Sequence, residues 1–222
     1  MVTQLKRRKY IYNMTNGIEY ELNFWKEFVQ TPRFLEGWCS NIKTPELHES
    51  VYKFIIDKLP AKVLDCGSGV CSILTGTIPN KDLTVCDLLG DEYAKFFDYN
   101  KHNIVQPLPI DCESIDLFFD GVFDIVHISN ALDHTQDAVE SFYNLLGATK
   151  QGGHLIVQGF ENEGLYENWQ GLHQWNLSLN DKIFVITDNE GEAFEIYADP
   201  IVAERIYLPT MEKYWIVYII QK

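Results

Sequence analysis

The stretch VLDCGSGVCS, residues 63–72, restricts the fold more than any other part of the sequence. A short apolar run leads through Asp65 directly into Gly67-Ser68-Gly69. A buried strand that ends in a glycine turn is typical of open α/β sheets, where the turn brings backbone N–H groups close to a ligand. The stretch therefore predicts a ligand-binding loop at the carboxyl end of a parallel strand.

The chain that follows alternates short apolar runs with helical patterns. The runs read as parallel strands buried on both faces, although prolines break the third. They cover residues 61–66, 82–87, 103–110, 123–129 and 152–160, and helical patterns occupy 92–103 and 137–150. Such alternation predicts βαβ units and an α/β fold with a Rossmann-like, doubly wound, mostly parallel sheet of seven strands.

Both ends of the chain depart from this pattern. Residues 17–58 read as helical, with Tyr20, Phe24 and Phe28 on one face. We therefore predict a helical cap over residues 1–50 and an α/β domain over 51–222. Within that domain, an insertion at 160–200 begins with a polar, aromatic stretch and continues into β-rich segments around DNEGE, a hairpin turn. The last apolar runs, 204–208 and 214–220, predict an antiparallel end to the sheet.

Charge and composition exclude several classes of function. The net charge is −14, from 32 acidic and 18 basic residues, and a field of that sign repels nucleic acid. The basic cluster at 6–9 reads as a solvated tail. No apolar stretch approaches the 18–20 residues or so of a membrane span, and no apolar signal segment follows the basic N-terminus. We predict a cytoplasmic protein without membrane or nucleic-acid partners.

The cysteines predict free thiols rather than a metal site. None of them forms a CxxC pair, so no zinc site is expected, and no other metal constellation is apparent. Buried free thiols fit a reducing cytoplasm. The five are Cys39, Cys66, Cys71, Cys86 and Cys112.

Three ligand classes compete for the glycine loop. A phosphate loop needs a lysine after the glycines, and none is present. A dinucleotide loop needs a third glycine, where this chain has Ser72, although Asp87 stands where a ribose-binding acid belongs. Asp65 decides between the remaining classes, because a carboxylate beneath the loop repels a pyrophosphate and attracts a cationic group. The loop therefore predicts a cationic cofactor that carries a ribose.

At this point the sequence resembles the class I S-adenosylmethionine-dependent methyltransferases, in particular bacterial enzymes that act on small molecules. Their first motif is an acidic residue, any residue, and GxG, and four motifs in order extend the resemblance over roughly residues 50–160. The resemblance implies S-adenosyl-L-methionine as cofactor, with Asp87 on the ribose, Leu88 against adenine and Asp111 near the adenine amino group. The implied cofactor-binding residues are Asp65, Gly67, Ser68, Gly69, Asp87, Leu88, Asp111, Cys112 and Asn130.

The acceptor side is less determined by the sequence. His134, in the loop after the fourth apolar run, could act as a general base, since its unperturbed pKa lies near operating pH. His173 lies in the aromatic insertion, where an acceptor would bind, so both histidines are candidate catalytic residues. His127 alternates within an apolar strand and reads as a core histidine. Four tryptophans could form a lid over the site: Trp25, Trp38, Trp169 and Trp175.

The sequence thus predicts a methyltransferase for a small-molecule acceptor, by O-methylation of a sugar or another polar metabolite. Oxygen is preferred because no NPPY or DPPY motif follows the fourth strand. One alternative is a non-catalytic S-adenosylmethionine-binding sensor or partner subunit. Another is an NAD(P)-dependent oxidoreductase, which the missing third glycine, Asp65 and the absent Tyr-x-x-x-Lys dyad disfavour. A homodimer is left open, because the sequence does not determine the oligomeric state.

Overall fold

The computed structural model describes residues 17–38 and 47–222. The basic cluster at 6–9 and Cys39 lie outside these residues. The four cysteines inside them are buried, and Cys66, Cys86 and Cys112 are free thiols, as predicted. Within the described ranges, no helix has both the length and the apolar character needed to cross a membrane.

The described residues form nine strands and seven α-helices. The strands are β1 (Val63–Cys66), β2 (Leu83–Cys86), β3 (Phe123–Ser129), β4 (Thr149–Phe160), β5 (Trp175–Asn180), β6 (Ile183–Asp188), β7 (Ala193–Ile196), β8 (Pro200–Leu208) and β9 (Lys213–Gln221). The helices are α1 (17–28), α2 (Glu49–Lys58), α3 (Gly90–Tyr93), α4 (Tyr99–His102), α5 (Ile115–Phe118), α6 (Ala138–Ala148) and α7 (Glu163–Tyr166).

The main sheet has six strands in the order β2-β1-β3-β4-β9-β8. The first four are parallel, and β9 pairs antiparallel with both β4 and β8. The carboxyl ends of β1, β2, β3 and β4 therefore lie along one edge of the sheet, which is where ligands bind in open α/β folds. The predicted Rossmann-like, mostly parallel sheet with an antiparallel C-terminal end is confirmed.

The predicted strand over residues 103–110 does not form, so the sheet has six strands rather than seven. Leu108 makes a single bridge beside β2: its N–H donates to the Val85 carbonyl (2.8 Å), and its carbonyl accepts from the Asp87 N–H (3.0 Å). The residues on either side of Leu108 are prolines, which have no N–H to extend the ladder. The segment lies beside β2, the edge strand of the main sheet.

The predicted helix over 92–103 is replaced by two short helices, α3 and α4. The Asp98 carboxylate caps α4 by accepting a hydrogen bond from the Lys101 N–H (3.0 Å). An acid that caps a new helix in the middle of the pattern interrupts the longer one.

A second sheet, in the order β5-β6-β7, forms part of the predicted insertion. The turn between β6 and β7 is the predicted hairpin, in which the Asp188 carboxylate accepts from the N–H groups of Glu190 and Glu192 (both 2.8 Å). This small sheet packs with α6 and β9 in one core, because the Phe184 ring stacks on Phe142 (5.7 Å) and on Tyr218 (5.1 Å). The insertion thus covers one face of the main sheet beside α6.

The N-terminal helix α1 forms as predicted, but it buries a different face. Trp25 and Val29 are buried, whereas Tyr20 and Phe24 are 66% and 48% exposed. The Trp25 ring contacts those of Phe28 and other aromatic residues in a cluster that also packs against α3. This cluster places α1 over the carboxyl edge of the main sheet.

Candidate active site

A cavity of about 1010 Å³ lies at the carboxyl edge of the parallel strands, with α1 on its far side. All but one of the residues predicted for the site line it. They are Asp65, Gly67, Ser68, Asp87, Leu88, Asp111, Cys112, Asn130, His134 and His173. The structure therefore brings the predicted cofactor residues and the two predicted catalytic histidines into one space.

The two glycines of the loop are required by its backbone. Gly67 has φ +65°, and a Cβ there would lie 2.5 Å from the Ala131 Cβ. Gly69 has φ +63°, and a Cβ there would lie 2.0 Å from the Trp25 ring, which covers this glycine. The Trp25 indole N–H donates to the Glu21 carboxylate (2.7 Å), which fixes the ring over the loop. A side chain at either glycine would force the chain opposite to move.

The backbone N–H groups of the loop already have acceptors. Gly67 and Ser68 both donate to the Cys86 carbonyl (2.8 and 3.3 Å), and Gly69 donates to Asp87 Oδ2 (2.9 Å). A loop that binds a pyrophosphate needs free N–H groups. The geometry therefore favours a ligand that donates hydrogen bonds to the Asp87 carboxylate over one that needs hydrogen bonds from the loop N–H groups.

Asp87 directly follows β2 and is held at both oxygens. Its Oδ1 accepts from the Leu89 N–H (2.9 Å), while Oδ2 accepts from Gly69. Burial raises the pKa of Asp87 to about 6, with a smaller contribution from the negative charge of Glu21, and hydrogen bonds from the two N–H groups and Tyr93 oppose the shift. Among the described residues the carboxylate has no cationic partner, and its remaining lone pairs suit hydroxyl donors.

Asp65 belongs to a buried hydrogen-bonded chain that crosses the sheet. Its Oδ1 accepts from His127 Nδ1 (2.6 Å), and its Oδ2 accepts from the Ser72 hydroxyl (2.5 Å). Because the Gln158 amide donates to His127 Nε2 (2.9 Å), the hydrogen-bond network assigns the neutral Nδ1–H form to this histidine. His127 is thus the core histidine that was predicted. Ser72, at the third-glycine position, was missed as a residue that holds Asp65.

Asp111 and Cys112 begin the short 3₁₀ turn after the irregular segment. Asp111 Oδ1 accepts from the Ser114 N–H (2.8 Å) and from its hydroxyl, which fixes this carboxylate at the cavity wall. The Cys112 thiol lies 3.1 Å from that of Cys66. This hydrogen bond, together with burial, raises the pKa of the Cys66 thiol well above its usual range. Both thiols are packing groups beneath the cavity, and the predicted adenine contacts of Asp111 and Cys112 stay predictions.

Asn130 connects the ends of two strands. It adopts a left-handed backbone with φ 50°, which asparagine tolerates, and its side-chain oxygen accepts from the Phe160 N–H (3.2 Å). The loop after β3 is thereby tied to the end of β4. Its predicted role toward the cofactor stays a prediction.

His134 and His173 lie side by side at the other end of the cavity. His173 Nδ1 is 2.7 Å from Asp133 Oδ2 and 3.1 Å from His134 Nε2. Burial alone would lower the pKa of His173, but the hydrogen bond to Asp133 and the surrounding carboxylates outweigh it and raise the pKa. Burial would likewise raise the pKa of Asp133, but the two histidines outweigh that effect and lower it. Asp133 was not predicted from the sequence, although an acidic residue directly before His134 was a signal that could have identified it.

Glu163, at the start of α7, was also missed. It is 6% exposed, and its Oε2 has no hydrogen-bond partner in the described part of the chain. Among the described residues it forms an ion pair with Lys213, whose Nζ lies 3.9 Å from Oε1. Burial first, and then the charge of Asp133, raises the pKa of Glu163 to about 7. No local motif marks this residue, because the fold brings it to the cavity from the insertion.

Of the four tryptophans predicted to form a lid, two lie at the cavity wall. Trp25 and Trp38 line the cavity. The prediction is wrong for Trp175, which is buried in the core with its indole N–H donating to the Thr135 carbonyl (2.9 Å). It is also wrong for Trp169, whose ring packs against Gly164 outside the cavity lining. Both residues were expected at the cavity because of their aromatic character, but they pack within the insertion instead.

Comparisons with models of known protein families and with curated protein sequences give no match. Among solved structures, the chain is similar to the N-methyltransferase NodS from Bradyrhizobium japonicum WM9, with TM-score 0.51 and 9% identity over 82% of this chain and 99% of that one. It is similar to the [4+2]-cyclase SpnF, with TM-score 0.50 and 11% identity over 78% and 80%. A methyltransferase from Burkholderia thailandensis, solved with 1,6-didemethyltoxoflavin and S-adenosylhomocysteine, gives TM-score 0.48 and 13% identity over 93% and 90%.

These likenesses define the fold. The chain has the class I S-adenosylmethionine-dependent methyltransferase fold, as the sequence motifs predicted. At such identities the likeness extends to the fold alone. Since one of these structures is named as a cyclase, the reaction must be argued from the site rather than from the fold.

Proposed function

We propose that the protein is an S-adenosylmethionine-dependent methyltransferase of the bacterial small-molecule type. The observation that carries this proposal is the shared cavity, which has the glycine loop and Asp87 at one end and His134 and His173 at the other. Its volume of about 1010 Å³ lies at the upper end of the range for ligand pockets, which suits a cofactor together with a small acceptor.

The cofactor end fits S-adenosylmethionine in its donor set and its charge. The Asp87 carboxylate offers lone pairs to the ribose hydroxyls, and Asp65 places a second buried acid at the wall of the same cavity. The loop N–H groups are already bonded, which disfavours the pyrophosphate of a dinucleotide. When bound, S-adenosylmethionine would supply an electrophilic methyl group on a positively charged sulfur.

At the acceptor end, the hydrogen bond with Asp133 orients His173 to act as a general base. When its Nδ1–H donates to Asp133 Oδ2, its Nε2 is left unprotonated and free to accept a proton from a hydroxyl group. The acceptor we propose is a small polar molecule that is methylated on oxygen, such as a sugar. The remaining contribution to the rate would come from alignment of the two bound reactants.

Calorimetry with the full chain tests the proposed cofactor. We expect S-adenosylmethionine and S-adenosylhomocysteine to bind in the micromolar range and NAD not to bind. Binding of NAD without a response to S-adenosylhomocysteine would overturn the proposal. Binding of S-adenosylhomocysteine without methyl transfer to any of a panel of hydroxylated metabolites would instead favour a non-catalytic binding protein.

Steady-state kinetics of His173→Gln test the acceptor end once an acceptor is known. We expect kcat to fall roughly 10²–10⁴-fold, with S-adenosylhomocysteine affinity nearly unchanged, because a base acts mainly in the transition state. His134→Gln should have the smaller effect, since only His173 donates to Asp133 at a short distance. An effect confined to KM would remove the general base from the mechanism.

A further inference from the structure

Three metal-ligating atoms converge at the acceptor end of the cavity. They are Asp133 Oδ2, His134 Nε2 and His173 Nδ1, and the distances between them are 2.7, 3.1 and 3.6 Å. When His173 Nδ1 carries a proton, it can donate a hydrogen bond to Asp133 Oδ2 or to His134 Nε2. The longest distance, 3.6 Å, separates His134 Nε2 from Asp133 Oδ2, and in this protonation state these two acceptors have no proton between them.

These distances are close to the donor spacing around a divalent metal ion, although the 2.7 Å between Asp133 Oδ2 and His173 Nδ1 is a hydrogen-bond distance that would lengthen by a few tenths of an ångström. With metal–ligand bonds of about 2.1 Å, adjacent donors lie about 3.0 Å apart in an octahedral site and about 3.4 Å apart in a tetrahedral one. Two imidazoles and one carboxylate form a ligand set typical of zinc and of neighbouring transition metals. Large side-chain rotations are not needed to reach this arrangement, because the three atoms already lie within 3.6 Å of one another.

The backbone holds the ligands together from two distant parts of the chain. Asp133 and His134 come from the 3₁₀ turn Leu132–His134, and His173 comes from the loop before β5. The Gln174 N–H donates to the Asp133 carbonyl (2.9 Å), which ties this loop to the turn. The arrangement is therefore a property of the fold rather than of one flexible loop.

Glu163 is an independent second observation at the same place. It lines the cavity, is only 6% exposed, and has one oxygen without a partner among the described residues. Its charge interacts with Asp133, His134 and His173. A cation here would be attracted by both buried carboxylates, because Lys213 pairs with Glu163 through Oε1 (3.9 Å) and leaves Oε2 without a partner among the described residues.

We propose that Asp133, His134 and His173 bind one divalent transition-metal ion of the zinc type, with Glu163 beside it and open coordination positions toward the cavity. This differs from the sequence-based expectation of no metal site, which followed from the absence of CxxC pairs. The site itself does not depend on methyl transfer. Its role rests on the proposed function: the ion would bind the acceptor oxygen and favour loss of its proton, as metal ions do for bound water. With the ion present, His173 Nδ1 would be a ligand rather than a hydrogen-bond donor to Asp133, so the ion would take the place of the His173 base in activating that oxygen.

The test is direct titration of the full chain with Co²⁺, which reports its ligands by visible absorption, and with Zn²⁺ by calorimetry. The protein is first freed of metal with a chelator and dialysed. We expect one ion per chain, and affinity lower by roughly 100-fold or more in His134→Gln and in His173→Gln, since even outer-shell partners are worth 10–100-fold. Glu163→Gln should weaken binding less. His102→Gln is the matched control, because this ring stacks on Phe97 away from the cavity.

Two results would overturn the proposal: no binding to the wild-type chain below about 1 mM metal, or equal affinity in both histidine variants and the control. Binding of S-adenosylhomocysteine by the same samples separates these results from failure of the proposed function, and circular dichroism identifies unfolded variants. If the variants do not fold, Co²⁺ added to the wild type should shift the ring signals of two of the six histidines in NMR spectra. Unshifted histidine signals would equally refute the site.

Discussion

At the scale of single residues, Asp87 connects the loop to the proposed cofactor. Its two oxygens hold the N–H groups of Gly69 and Leu89, so one carboxylate both orders the loop and faces the cavity. Loss of this side chain therefore affects binding through two sets of hydrogen bonds.

We expect Asp87→Ala to weaken S-adenosylhomocysteine binding by about 1–3 kcal/mol, because ribose hydroxyls and the Gly69 N–H lose their acceptor. Calorimetry measures this change. Asp91→Ala is the control, since Asp91 is an exposed acid on α3 that does not line the cavity. Equal affinity of the wild type and a folded Asp87→Ala variant would mean that another acid binds the ribose.

The pKa of Asp87, about 6, predicts a pH dependence of cofactor binding. Hydroxyl donors favour the ionised carboxylate, so the proton and the cofactor compete for this group. Affinity should be constant well above pH 6 and fall by up to about tenfold per pH unit below it. The titratable groups that interact with Asp87 include Glu21, Tyr93, Cys66 and Cys86, and the charge of Glu21 acts in the same direction as burial. Calorimetry from pH 5 to pH 8 checks this, and a flat profile would contradict it.

At the scale of elements, the glycine loop and α1 form one unit. Gly69→Ala should displace the Trp25 ring and lower cofactor affinity, because a Cβ at this position would lie 2.0 Å from that ring. Gly152→Ala is the matched control, since Gly152 also has a positive φ but has open space around its Cβ position. Both variants should lose about 1–2 kcal/mol of unfolding free energy from backbone strain. Only Gly69→Ala should alter cofactor binding, and equal affinity in the two variants would refute the role of this contact.

The elements that the sequence predicted best are those with uniform local patterns. Strand β3 has the predicted bounds, because it is a short, mostly apolar run that is buried on both faces. The segment 103–110 was wrongly predicted as a strand, since its prolines cannot donate to a ladder.

For the candidate site, motif spacing was sufficient to predict the residues on the cofactor side, because each of them lies at or just after the end of a strand. Asp133 and Glu163 were missed because their meeting with His173 depends on how the insertion packs, which no local pattern encodes.

At the scale of the whole molecule, the small sheet and the main sheet share one core. Phe184→Ala should lower the unfolding free energy by about 3–5 kcal/mol, because this fully buried ring stacks on both Phe142 and Tyr218. Chemical denaturation should still show one transition, since both sheets depend on the same cluster. Phe118→Ala, at a 61% exposed position, should change stability by no more than about 0.5 kcal/mol. Separate transitions for the two sheets would contradict this view of the fold.

The position of Trp25 over Gly69 has a consequence for timing. Trp25 lines the cavity and covers Gly69, so we expect a ligand bound against the glycine loop to leave faster when α1 moves away from the sheet. Such movements of lids over active sites take microseconds to milliseconds, and they limit turnover in many enzymes. In this chain, the gate would be an aromatic cluster on an N-terminal helix, and each opening would expose the acceptor end of the cavity as well.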